Sequence, residues 1–92
     1  MGRKDTELFD YVAERIAKAE EGASDALYDL GLLYSTGQGV ERDYIQAHKW
    51  FNLAAIRGVH RAQVDRCELA KDMSRQQIAE AQRQAREWLQ VH

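Results

Sequence analysis

Apolar residues return every three or four positions along most of this chain, with polar residues between them, the spacing of amphipathic helices. Leu8, Phe9, Val12, Ile16 and Ala19 form one such stripe and predict a helix over about residues 6–20. A second stripe, Ala26, Leu27, Leu30, Leu33 and Tyr34, predicts a helix over about 25–36 that ends in the glycine-rich turn Thr36–Val40. The third helix begins after Asp43, whose pairing with Gln46 has the form of a capping box, and runs through Ala47, Trp50, Phe51, Ala54 and Ala55 to a stop at Gly58. A weaker stretch over about 60–72 predicts a fourth helix. Ser74 and Gln77 then open a fifth over about 75–90, with Ile78, Ala81, Ala85 and Trp88 on one face.

The pattern repeats. Gly22 and Gly58 lie 36 positions apart, as do Ala26 and Ala62, which is the length of a two-helix solenoid unit. The stretch from Ala26 to Ala62 resembles one Sel-1-like repeat, whose pattern is an alanine, Leu-Gly-x-x-Tyr, Gly-x-Gly-Val-x-x-Asp, Ala-x-x-Trp and Ala-Ala-x-x-Gly. The chain supplies it as Ala26, Leu30, Gly31, Tyr34, Gly37, Gly39, Val40, Asp43, Ala47, Trp50, Ala54, Ala55 and Gly58, in register. The segment from Lys71 to Trp88 also looks like the closing cap of many bacterial members. The resemblance implies an all-α, right-handed solenoid of antiparallel helix pairs of the tetratricopeptide type, with about five helices here. Its expected parts are a half-repeat helix at 6–21, a complete repeat at 22–57 and a degenerate capping repeat at 58–92. Arg66 and Cys67 stand where the repeat would place Leu-Gly, so the second helix pair should lack the usual contact between its helices.

Composition narrows the function classes. Ninety-two residues, 45% hydrophobic and 30% charged with no proline, suit one helical domain without a deep substrate cavity. A net charge of −2, both signs mixed throughout, offers no basic field for nucleic acid. The amino terminus has no apolar signal core, no stretch is long enough to span a bilayer, and the expected location is the cytoplasm. Met1-Gly2 followed by Thr6 matches a myristoylation pattern, but the match is short and one acyl chain holds a membrane only marginally, so it is read as coincidence.

No catalytic or metal-binding constellation emerges. His48, His60 and His92 fall on separate elements without ligand spacing and read as surface or cap residues. Cys67, the single cysteine, reads as a small buried residue in a glycine slot, and no cofactor is expected. Gly37 and Gly39 lack the strand and lysine-serine tail of a phosphate loop. Glu80, Arg83 and Glu87 read as a solvated helix face. Phe9, Tyr34, Trp50, Phe51 and Trp88 read as core.

The resemblance therefore implies an adaptor that binds another protein or a peptide, not an enzyme. Its docking surface would be the concave side, lined by the first helix of each pair. Transferred to this chain, that geometry gives Asp25, Tyr28, Leu32 and Ser35, and a shift of 36 adds Arg61, Val64, Glu68 and Lys71. The apolar centre would be Tyr28, Leu32 and Val64. Two alternatives stand beside this one: self-association, since so few repeats are short for a stable array, and a cell-wall-ligand hydrolase, whose paired cysteines are missing here. Tyr28 and Leu32 could also be plain core beneath the first or last helix.

Overall fold

The computed structural model describes residues 3–92; Gly2 of the myristoylation-like pattern lies outside them. Among the described residues all regular structure is helical: α1 (Arg3–Glu20), α2 (Ser24–Thr36), α3 (Tyr44–Ile56), α4 (His60–Ala70) and α5 (Arg75–Val91). None of these helices is long and apolar enough to cross a membrane.

The helix ends follow from local chemistry. α1 and α3 stop alike: Gly22 N–H donates to Ala19 O and Ala23 N–H to Lys18 O, while Gly58 N–H donates to Ala55 O and Val59 N–H to Ala54 O. These paired bonds satisfy carbonyls that a helix end otherwise leaves bare. α2 stops at Gly37, where φ is 76°, a left-handed conformation that costs other residues about 1–2 kcal/mol. Asp43 caps α3 by accepting from the Ile45 and Gln46 amides, but the box is not closed. The Gln46 side chain reaches across to Gln84 on α5 instead, 2.9 Å away. Ser74 and Gln77 do form the complete reciprocal box at the start of α5.

Short connections pack α1 on α2, α2 on α3 and α3 on α4, while α5 returns to α3, which becomes the hub against α2, α4 and α5. The densest core lies between α2 and α3, where Leu27, Leu30 and Leu53 are fully buried beside Trp50 and Phe51. Gly31 lets these two helices approach. A Cβ there would sit 2.3 Å from the Phe51 ring, so the aromatic side chain occupies the space glycine leaves. Trp50 meets Trp88 edge-on at 6.3 Å, joining α3 to α5. His92 stacks flat on Trp88 at 3.9 Å and its Nε2 lies 2.9 Å from Glu20, which ties the end of α5 to the end of α1.

Polar contacts join successive helices as well. Arg15 on α1 pairs with Asp29 on α2 at 3.0 Å, and Asn52 on α3 accepts from Arg66 on α4 at 2.8 Å, each across fourteen positions. The second helix pair differs from the first as its sequence anticipates, for α4 and α5 both lean on α3 and barely touch one another.

Three expectations for single residues are corrected. Phe9 is 73% exposed rather than core: Leu8 and Val12 take the side of α1 that meets the turn at Gly39, and Phe9, one position on from Leu8, lies about 100° round the helix from it. Cys67 is exposed, since no ring from α5 presses on it as Phe51 presses on Gly31. His48 is buried, at 3% exposure, because the hub helix is covered on several sides.

Candidate docking site

α2 and α4 run side by side across the top of α3, and an open depression of about 380 Å³ lies between them. Its α2 wall carries Tyr28, Leu32 and Ser35, one turn apart on the flank that the Leu27–Leu30–Tyr34 stripe leaves free. Phe51 of α3 forms the floor, with its ring centroid 5.7 Å from that of Tyr28. The opposite wall is Arg61, Asp65, Glu68 and Leu69 of α4, closed at one end by Asp72. Among the described residues, none of α1 or α5 lines the depression, and Leu32 remains 39% exposed.

One hydrogen bond fixes the width. The Tyr28 hydroxyl donates to Asp65 Oδ2 at 2.5 Å, which holds α2 to α4. Burial, and then the Asp65 carboxylate, push the Tyr28 phenol above its ordinary pKa, while Arg61 opposes them weakly. The group thus stays a donor at neutral pH. Ser35 is turned inward on its own helix, donating to Leu32 O at 2.9 Å.

Of the eight residues assigned to the docking surface from sequence, the structure gathers Tyr28, Leu32, Ser35, Arg61 and Glu68 around this depression. Asp25, Val64 and Lys71 lie outside it. Asp25 is drawn toward Arg15 at 3.6 Å, on the α1 side of α2. Lys71 binds Glu68 at 2.9 Å in solvent. Val64, proposed as part of the apolar centre, is 61% exposed and lines a second hollow on the outer flank of α4 with His60, Gln63 and Cys67. The reason is geometric. In a translational repeat the flank of α2 that meets α4 recurs on α4 as the flank turned away from α2. A copy of Tyr28 shifted by 36 positions therefore lands on the far side.

The residues that do face Tyr28 and Leu32 are Asp65, Leu69 and Asp72, which the sequence reading missed. Their i, i+4, i+7 spacing along α4 and the turn after it was the available signal. Phe51 was read only as core, and it is also the floor. Among the described residues, no group of three or more histidine, cysteine, aspartate or glutamate side chains is placed to hold a metal ion. The depression's chemistry is that of contact: aromatic and aliphatic surface bordered by charge.

Residues 24–59 match the family model of the Sel1 repeat, a span that takes in α2, the turn beyond it and α3. No curated protein matches the chain.

Proposed function

Because residues 24–59 match the Sel1 repeat, and Sel1 repeats are generally protein–protein interaction modules, we propose that the depression between α2 and α4 receives a segment of another protein. The supporting observation is the partly open apolar surface of Tyr28, Leu32 and Phe51, held at fixed width by the bond from Tyr28 to Asp65. An apolar centre with a polar rim is the usual build of a protein interface, and tyrosine is frequent among its energetic anchors. Sel1 repeats are typically non-enzymatic helical scaffolds, in keeping with an adaptor role.

The test is capture of partners from the native host by the intact chain and by Leu32→Asp. Leu32 is exposed enough for the change to leave the melting temperature nearly unaltered. Partners lost by the variant support docking at this surface; an identical set from both proteins places the interaction elsewhere. Self-association has its own physical basis in Leu8, Phe9 and Tyr11, exposed together on α1. Light scattering of the purified protein separates that case, since a dimer that persists in Leu32→Asp and dissociates in Phe9→Ser uses α1.

A further inference from the structure

The depression is apolar on its floor and lopsided in charge along its length. From this we infer that its occupant is a peptide segment with an apolar anchor and a lysine or arginine close beside it, the cation lying toward the Asp72 end. The inference rests on the docking reading above. Three carboxylates, Asp65, Glu68 and Asp72, line the α4 side against one cation, Arg61. They are not spread evenly. Arg61 is in the first turn of α4, while Glu68 is in its last turn and Asp72 just beyond.

That placement runs against the helix. The C-terminal carbonyls of a helix carry partial negative charge, and lysine or arginine is ordinarily favoured there. The last turn of α4 has no basic residue and holds Glu68 instead. Lys71 answers part of this by pairing with Glu68, but it stands outside the depression. The Asp72 carboxylate accepts no hydrogen bond among the described residues, and the Asp65 carboxylate takes the Tyr28 hydroxyl. The negative end of the groove therefore lacks a cation of its own on the inner side, and a partner's side chain would supply one.

Length is set by α4. Arg61 to Asp72 spans eleven residues, about 16 Å at 1.5 Å per helical residue. An extended segment of about five residues covers that distance at roughly 3.3 Å each. Its apolar side chain would rest on Phe51 and Leu69 between Tyr28 and Leu32, with the cation reaching Asp72 and Glu68.

The experiment is selection of random dodecapeptides displayed on phage against the full chain, with counter-selection on Leu32→Asp, followed by fluorescence anisotropy on the peptides recovered. The expected peptides place lysine or arginine within a few positions of a leucine, methionine or phenylalanine. Glu68→Gln with Asp72→Asn, both at exposed sites, should weaken them by about tenfold, as charge pairs at an interface do. Raising salt from about 50 to about 500 mM should weaken them in the same direction through screening. Peptides that depend on Leu32 but show no basic enrichment, or that bind the double variant unchanged, overturn the charge inference while leaving the docking site in place. No enrichment over counter-selection overturns the docking reading, and the inference falls with it.

Discussion

Tyr28 and Asp65, 37 positions apart in the chain, meet through a 2.5 Å hydrogen bond that joins α2 to α4. This bond forms one side of the depression and spaces its two walls. Tyr28→Phe keeps the ring against Phe51 and deletes the bond. The expected cost is about 1–2 kcal/mol, given a charged acceptor in a half-buried site. A double-mutant cycle with Asp65→Ala, read by urea unfolding, should return a coupling energy of similar size. Additive single effects would mean that the bond contributes nothing in solution.

Gly31 and the Phe51 ring share one volume. Gly31→Ala would set a methyl group 2.3 Å from that ring and force it to move. Overpacking of this kind costs about 1–3 kcal/mol, whereas alanine for glycine in an open helix stabilises. A melting temperature equal to or above that of the parent would show that α2 and α3 are less closely packed than described.

Trp50 is 5% exposed, beside Trp88 and beneath the Lys49 ammonium, whose Nζ lies 4.4 Å from its ring centroid. Trp50→Ala should cost about 3–5 kcal/mol, a large share of what a domain of this size holds. Loss of the α3–α5 contact should also free Trp88, so its fluorescence should shift to the red in the folded variant. A blue, unshifted emission would show that α5 is held by other contacts.

His48 gives the fold a pH dependence. Burial, and then the nearby Arg66, lower its pKa below the ordinary value. The folded state therefore binds a proton less readily than the unfolded chain. Stability is fully present above the unfolded pKa of about 6.5, and it declines as the solution is acidified from there toward the lower folded pKa. His48→Leu should flatten that decline in unfolding experiments between about pH 7 and pH 5, the range around an unperturbed histidine. A variant with the same slope as the parent would assign the proton uptake to another group.

The helices were legible because their apolar spacing and their caps are local. Gly22 and Gly58 end α1 and α3 with the same two bonds, and Ser74 with Gln77 opens α5, as residue types and spacing imply. Gly31, one of the repeat's motif positions, leaves a volume that the Phe51 ring fills, a partner that spacing along one helix cannot name. What failed was the facing of one helix toward another. His48 looks like a surface histidine until the neighbours of α3 cover it, and Phe9 looks like core until Leu8 and Val12 take the side of α1 that meets the turn at Gly39. A repeat of 36 positions finds Ala62 from Ala26, both fully buried. It cannot find Asp65, Leu69 and Asp72 from Tyr28, Leu32 and Ser35, because facing surfaces in a translational stack use opposite flanks. Only the packed arrangement shows which flanks meet.

α4 is the most lightly fastened element beside the depression. Its one fully buried side chain is Ala62, and α5 gives it almost no support. Such a segment has its own opening equilibrium, lying below the free energy of global unfolding. Its amide hydrogens should exchange with solvent through excursions that leave α2 and α3 closed. The two walls are then mechanically unlike: one is rigid, built into the core, and the other is compliant. Occupancy would stiffen the compliant wall, so a bound segment should register as slowed exchange along α4 while α2, already protected, changes little.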